Sequence, residues 1–185
     1  ERGLHIGIVG LGIGTLSAYG TPEDHIRYYE INPDIEILAR KYFTNLANGK
    51  AATKVIIGDA RVSLQRELNQ TGTHQFDVLV LDAFSGDAIP VHLLTEEAFR
   101  LYMQHLHPQG ILAIHITNKY LDLIPVALSA SNRLALKAAW IESGNQSWFE
   151  ASNDWLLISR NDLFFRTNQL DDRILTFDEG PNSAP

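Results

Sequence analysis

Short, nearly continuous apolar runs alternate with amphipathic stretches along most of the chain. The apolar runs fall at residues 5–9, 25–30, 54–57, 76–81, 111–116, 138–142 and 154–160. Runs of this length that lack polar alternation are typical of strands covered on both faces of a sheet. The pattern therefore predicts a buried sheet rather than one that exposes a face to water.

Helical periodicity occurs between these runs, over residues 33–43, 60–68, 95–106 and 123–136. Thr95 is a suitable N-cap for the third helix, and Glu96 and Glu97 follow at its positive end. Alternation of strands and helices requires crossover connections and a parallel sheet. We predict an α/β, doubly wound, mostly parallel, Rossmann-like sheet with helices on both faces.

The length of 185 residues suits one globular domain, which we place at residues 1–160. Residues 161–185 are predicted to be a C-terminal extension and tail, and the abrupt start at the first strand predicts a domain from a longer protein. The net charge of −7 gives no electrostatic basis for binding nucleic acid, and no basic cluster or long apolar stretch predicts membrane contact. With no cysteine and no histidine spacing typical of metal sites, we expect a cytoplasmic protein without a metal.

A glycine-rich loop follows the first strand. Gly10, Gly12 and Gly14 allow the backbone to turn sharply there and to approach a ligand closely. The spacing differs from the G-x-G-x-x-G of dinucleotide-binding loops, because the third glycine comes early and Thr15 stands in its place. The loop predicts nucleotide binding, with a tight turn that binds nothing as the alternative.

Carboxylates end the next two strands. Glu30 lies twenty residues after Gly10, where a carboxylate can accept hydrogen bonds from both ribose hydroxyls. Asp59 lies between Gly58 and Ala60, and it suits either an adenine amino group or the N-cap of the helix at 60–68. A solvated strand-end acid is the alternative for Glu30.

Polar residues also follow the fourth and fifth strands. Asp82 and Asp87 lie in a loop of the kind that often carries chemistry, although an Asx-type turn also accounts for Asp87. Asp82 could serve as a general base or hold a cationic substrate. His115 is predicted to be a hydrogen-bonded core residue, with a general base as the alternative. Asn118 and Tyr120 are predicted to line an acceptor pocket, and the other histidines are scattered.

Together these motifs resemble the nucleotide-binding domain of the spermidine synthase family, a branch of the class I S-adenosylmethionine-dependent methyltransferase fold. The resemblance covers residues 6–123 and includes the glycine loop, Tyr-Glu-Ile-Asn at 29–32, Gly-Asp-Ala at 58–60 and Leu-Thr-Glu-Glu-Ala-Phe at 94–99. The segment 81–94 is similar to spermidine-synthase-like domains fused behind transporter-like membrane segments, which would account for the abrupt N-terminus.

The resemblance implies a role for each matching position. Glu30 would bind the ribose, Asp59 the adenine amino group, and Ile31 would pack on the base. The glycines and Ala60 would contact the same nucleotide, which would be S-adenosylmethionine or its decarboxylated form. Asp82 would deprotonate a small amine acceptor, and Asp87, Asn118 and Tyr120 would help to bind it.

Departures from the family pattern keep several functions open. Asp87 follows Asp82 by five residues where the family has three, and Ile13 replaces an aspartate that pairs with the aminopropyl ammonium. The family's small N-terminal β-domain has no counterpart in these residues, which leaves a homo-oligomer open. We expect an aminopropyltransferase of polyamine biosynthesis, with a methyltransferase next, a non-catalytic nucleotide-sensing module third and an NAD-binding oxidoreductase last.

Overall fold

The structure, a computed structural model, describes residues 2–84, 89–117, 122–143 and 153–175. Within these ranges one sheet contains seven strands, in the spatial order β3-β2-β1-β4-β5-β7-β6. The strands are β1 (His5–Val9), β2 (His25–Glu30), β3 (Ala52–Ile57), β4 (Phe76–Leu81), β5 (Leu106–His115), β6 (Lys137–Ser143) and β7 (Asn153–Ser159). The helices are α1 (Pro33–Tyr42), α2 (Asn45–Asn48), α3 (Ala60–Thr71), α4 (Glu96–His105), α5 (Ile124–Arg133) and α6 (Asp162–Thr167).

The first five strands are parallel to one another, and β7 runs antiparallel to both β5 and β6. This arrangement confirms the predicted mostly parallel α/β sheet. The strand order reverses at β1, which pairs with β2 on one side and β4 on the other. In open α/β sheets such a reversal opens a crevice beyond the carboxyl ends of the strands, where ligands bind.

Apolar side chains cover both faces of the sheet, as the continuous apolar runs predict. Val9 and Leu81 belong to the larger cluster, which also contains residues of α3, α4 and α5. Ile8 and Val80, one position earlier on the same strands, belong to the smaller cluster with Ala39 of α1. Successive side chains on a strand point to opposite faces, so each of these short strands packs against helices on both sides of the sheet.

The fifth strand begins earlier than its apolar run predicts. The run starts at residue 111, but β5 already pairs at Leu106 with Phe76 of β4. The register shifts after this pair, since Phe76 lies opposite Leu106 but Val78 lies opposite Ile111, so β5 is irregular around Gly110. A Cβ atom at Gly110 would lie 2.6 Å from the carbonyl oxygen of Phe76, so this close approach requires glycine.

Residues beyond β7 also contact the sheet. Phe165 of α6 is fully buried, and the backbone N–H of Leu175 donates to the carbonyl of Ala138 in β6. The division at residue 160 stays a prediction. In the parts of the chain that the structure describes, no helix is both long and apolar enough to cross a membrane.

Candidate functional site

The carboxyl ends of the first four strands surround a cavity of about 860 Å³. Five parallel strands end at this edge of the sheet. Backbone hydrogen bonds between neighbouring strands continue to the residues that directly follow the strands. The backbone N–H of Gly10 donates to Tyr29, that of Asp82 to Val9, and that of Gly58 to Glu30. The cavity therefore lies at the reversal of strand order, where the fold places ligand sites.

The three predicted glycines have different surroundings. Gly10 has a φ of +97°, and a Cβ there would lie 2.3 Å from the carbonyl oxygen of Asp82, so β1 and β4 meet closely at this point. Gly12 also has positive φ but lines the cavity, and a Cβ there would meet no protein atom within 4 Å. Gly14 instead precedes the 3-10 helix Thr15–Tyr19, against Leu46, and is not part of the cavity wall.

Glu30 lines the cavity and holds the glycine loop. One carboxylate oxygen accepts from the backbone N–H of Leu11 at 3.0 Å, and the other accepts from that of Asn32 at 2.9 Å. A carboxylate offers about four lone-pair positions, so two acceptor positions remain for a ligand. The residue is 8% exposed, which holds its side chain in one place at the end of β2.

Asp59 has one of the two roles that its sequence position leaves open, the N-cap, while its contact with an adenine stays a prediction. Its Oδ1 accepts from the backbone N–H of Val62 at 2.9 Å, which caps α3. Its Oδ2 lies 2.9 Å from Nε2 of His92, and both residues line the cavity. Ile31, 69% exposed, and the buried Ala60 belong to the same wall, so an apolar surface lies beside the two acids.

Asp82 lies at the end of β4 with a partner on the neighbouring strand. Its Oδ1 is 2.8 Å from Nδ1 of His115, at the end of β5. The Asp82 side chain remains 39% exposed, whereas that of His115 is 17% exposed. Asp82 is therefore the residue of this pair that a ligand in the cavity would meet.

Two histidines belong to the site although the sequence analysis placed them elsewhere. His115 is hydrogen-bonded, as expected, but to Asp82 rather than within the core. His92, which the sequence analysis left among the scattered histidines, lies against Asp59. The position of His115 at a strand end beside Asp82 was a usable signal, while nothing local marked His92.

Three predicted residues lie outside the described part of the chain, namely Asp87, Asn118 and Tyr120. Their proposed contacts with an acceptor stay predictions. Within the described ranges, no group of three or more histidine, aspartate or glutamate side chains could hold a metal ion.

The cavity wall is acidic. Its described residues include the carboxylates of Glu30, Asp59 and Asp82, and contain no lysine or arginine. Such a wall favours a cationic ligand over one that carries phosphates, since phosphate sites normally supply positive charge. Two acids at the ends of β2 and β3, an apolar wall and an open glycine position fit an adenosine group.

The sequence is similar to curated transferases. It is 35% identical over 124 residues to the polyamine aminopropyltransferase of Vibrio vulnificus, which is 66% of this chain and 40% of that protein. It is 33% identical over 133 residues to the N-terminal histidine N-methyltransferase of Emericella nidulans, 70% of this chain and 22% of that protein. The chain thus spans less than half the length of these relatives. No family model matches it.

Solved structures have the same fold. Human methyltransferase-like protein 13, in complex with SAH, superposes with a TM-score of 0.68 over 98% of this chain and 87% of that one, at 18% identity. A probable spermidine synthase from Corynebacterium glutamicum superposes with a TM-score of 0.65 over 84% of this chain and 55% of that one, at 20% identity.

The fold is therefore that of the class I S-adenosylmethionine-dependent methyltransferases. Within that class the chain is spermidine-synthase-like, since named polyamine aminopropyltransferases are among its sequence relatives and spermidine synthases among its structural neighbours. The expected resemblance is confirmed at this level.

Proposed function

We propose that this chain is a spermidine-synthase-like transferase domain that binds an S-adenosyl nucleotide and transfers an aminopropyl group to a small amine of polyamine biosynthesis. The observation that carries the proposal is the acidic cavity, where three carboxylates face the ligand space without a lysine or arginine among the described lining residues. Both the donor, a sulfonium, and the acceptor, an amine, belong to the chemical class that such a wall attracts.

Each strand-end residue has a distinct task in this proposal. Glu30 and Asp59 would hold the ribose and the adenine, and Gly12 would leave the space that the nucleotide occupies. The sulfonium supplies a good leaving group when the nucleotide is bound. Asp82, exposed to the cavity, would accept the proton that the acceptor amine must lose before its nitrogen can act as a nucleophile.

A methyltransferase is the second candidate. One of the reported relatives is a histidine N-methyltransferase, and Ile13 takes the place of the acid that favours aminopropyl donors in the family that the sequence resembles. The proposed base and nucleotide site serve either reaction, because both begin with attack of an amine nitrogen on a carbon next to the sulfonium. A sensing module would keep the nucleotide site and lose the transfer.

Product analysis with labelled nucleotides tests the proposal. The protein is incubated with S-adenosylmethionine or its decarboxylated form, together with putrescine, spermidine and other small amines. Addition of a three-carbon amine supports aminopropyl transfer, and addition of one carbon establishes the methyltransferase. Absence of product from a protein that binds the nucleotide overturns both activities.

The variant Asp82→Asn adds a residue-level test, because it removes the base while preserving the shape of the side chain. Turnover should fall by about 10²–10⁴-fold, with little change in nucleotide affinity. Asp34→Asn, an exposed acid on α1, is the matched control and should retain wild-type turnover. Comparable turnover in Asp82→Asn and wild type would place the base elsewhere.

A further inference from the structure

From Asp82, a chain of hydrogen bonds runs through the ends of β5 and β7. His115 Nδ1 lies 2.8 Å from Asp82 Oδ1, and His115 Nε2 lies 3.0 Å from Oγ1 of Thr117. The backbone N–H of Asp154 donates to the same Thr117 oxygen at 2.6 Å. Asp82 lines the cavity, whereas His115 is not part of its wall.

The donors and acceptors in this chain are consistent with one arrangement of the neutral ring. An ionised carboxylate only accepts, so Nδ1 of His115 must carry the hydrogen that points to Asp82. Nε2 is then an acceptor, and the hydroxyl of Thr117 donates to it. Because Thr117 accepts from a backbone N–H, its own hydrogen is free to serve Nε2.

Aromatic side chains fix the plane of the imidazole ring. The ring of Trp155 stacks on it with centroids 4.6 Å apart and planes 9° apart. The ring of Phe84 meets it edge-on with centroids 5.0 Å apart. Trp155 is the cross-strand neighbour of His115 in the β5–β7 pair, so the sheet itself sets the orientation of the ring.

We propose that His115 is a positioning residue for Asp82, which holds Oδ1 through its Nδ1–H and leaves Oδ2 to receive the proton of the acceptor amine. The inference rests on the proposed function. It assigns the base to Asp82 and not to the histidine, because Nε2 is hydrogen-bonded to Thr117 and His115 is not among the residues that line the cavity. In Ser-His-Asp triads an aspartate orients the catalytic histidine, whereas here the histidine orients the catalytic aspartate.

Three substitutions at one position test this role. In His115→Asn the side-chain amide nitrogen takes the place of Nδ1 and can still donate to Asp82. In His115→Gln the amide extends to the place of Nε2, and in His115→Leu there is no donor. We expect kcat to fall by roughly 10- to 100-fold in the Gln and Leu variants, which is the loss typical for removal of a residue that hydrogen-bonds to a metal ligand. In His115→Asn, kcat should recover.

Calorimetric titration with S-adenosylhomocysteine accompanies the kinetics and should give the same affinity in all variants, because the nucleotide site is intact. Wild-type kcat in His115→Leu overturns the proposal, as does equal loss in His115→Asn and His115→Leu. In either case transfer by the wild-type protein would leave the proposed function standing.

Nitrogen-15 NMR of the imidazole provides a test that does not depend on activity. The proposal requires the Nδ1–H tautomer in the wild-type protein and in Thr117→Ser, which keeps the hydroxyl. Thr117→Val should keep it as well, because the Asp82 carboxylate still accepts from Nδ1, whereas Asp82→Leu, which offers no acceptor, should lose it. A wild-type ring with hydrogen on Nε2 alone would overturn the proposal even if transfer is observed.

Discussion

The Nε2 atom of His92 lies 2.9 Å from Oδ2 of Asp59 and joins the start of α3 to the segment between β4 and α4. Arg61 of α3 strengthens this junction, since its guanidinium donates to the backbone carbonyl of His92 at 3.0 Å. His92 is thus held through its side chain and its main chain. Asp59 and His92 both line the cavity, so these contacts lie at one of its walls.

Removal of the His92 side chain should weaken nucleotide binding. In His92→Ala the carboxylate of Asp59 loses a donor that keeps it in place, and we expect a loss of about 0.5–1.5 kcal/mol in the affinity for methylthioadenosine. Titration calorimetry measures the effect, with His25→Ala, an exposed histidine at the opposite end of the strands, as the control. Unchanged affinity in His92→Ala would separate His92 from the site.

Substitution of Glu30 should affect both binding and stability. Glu30→Gln keeps the shape of the side chain but replaces one acceptor with an amide donor, which then faces a backbone N–H. We expect the affinity for methylthioadenosine to fall by roughly 1.5–3 kcal/mol, the range for hydrogen bonds to a charged group, together with a lower melting temperature. Glu23→Gln, an exposed acid, is the control and should change neither quantity. A melting curve and affinity like those of the wild type would refute the ribose assignment.

Two glycines of the same loop should respond differently to alanine. Gly10→Ala places a methyl group against the Asp82 carbonyl, and we expect a loss of roughly 2–5 kcal/mol in the free energy of unfolding. Gly12→Ala meets no protein atom and should cost only about 1–2 kcal/mol from its left-handed backbone, while it weakens nucleotide binding. Chemical denaturation and titration calorimetry compare the pair. Equal destabilisation would contradict the different surroundings of the two residues.

The residue at position 13 should influence the choice of donor. Ile13 is 42% exposed, and its carbonyl accepts from the Asn45 amide at 3.1 Å, so the loop backbone is held independently of the side chain. An acid here would attract the terminal ammonium of a decarboxylated donor and repel the carboxylate of S-adenosylmethionine. At about 4 Å and an effective dielectric near 20, such a pair is worth up to about 4 kcal/mol before desolvation.

We therefore expect that the natural protein has no strong preference for the decarboxylated nucleotide. Ile13→Asp should increase that preference, by roughly tenfold for each 1.4 kcal/mol gained in the difference between the two binding free energies. Competitive titration of both nucleotides on both proteins provides the measurement. A strong preference for the decarboxylated form in the natural protein would contradict the expectation.

Stability should decrease on mild acidification because of His105. Burial lowers the pKa of His105 below its ordinary value of 6.5, and its Nε2–H donates to the Leu64 carbonyl at 3.0 Å. The unfolded chain therefore takes up a proton near pH 6.5, whereas the folded protein takes it up only at lower pH. The free energy of unfolding should decline as the pH falls below about 6.5, by up to about 1.4 kcal/mol per pH unit.

His105→Gln keeps a donor for Leu64 and should remove this part of the pH dependence. The measurement is urea denaturation between pH 7.5 and 5, and His25→Asn, at an exposed position, serves as the control. The same slope in His105→Gln and in the wild type would show that other groups cause the decline.

Much of the site could be predicted from the acidic residues at or just after the ends of apolar runs in the sequence. Glu30 ends one apolar run, Asp82 directly follows another and Asp59 lies two residues after a third, and parallel strands bring such ends to one edge. The predicted start of β5 at residue 111 was wrong, since Leu106 already pairs with Phe76 of β4 before the register shifts. That early pair depends on a partner thirty residues away, which the local sequence pattern does not report.

The sequence by itself determined the alternation of strands and helices, the apolar runs covered on both faces, and the chemical types that meet at the carboxyl edge. The pairs His92–Asp59 and His115–Asp82 were decided only by the tertiary structure. Each joins residues 33 positions apart, and their contact depends on which strands are neighbours and where a connecting segment crosses the edge. Side-chain periodicity reports which face a residue occupies, but a hydrogen bond between distant residues requires the strand order and register that packing of the whole sheet selects.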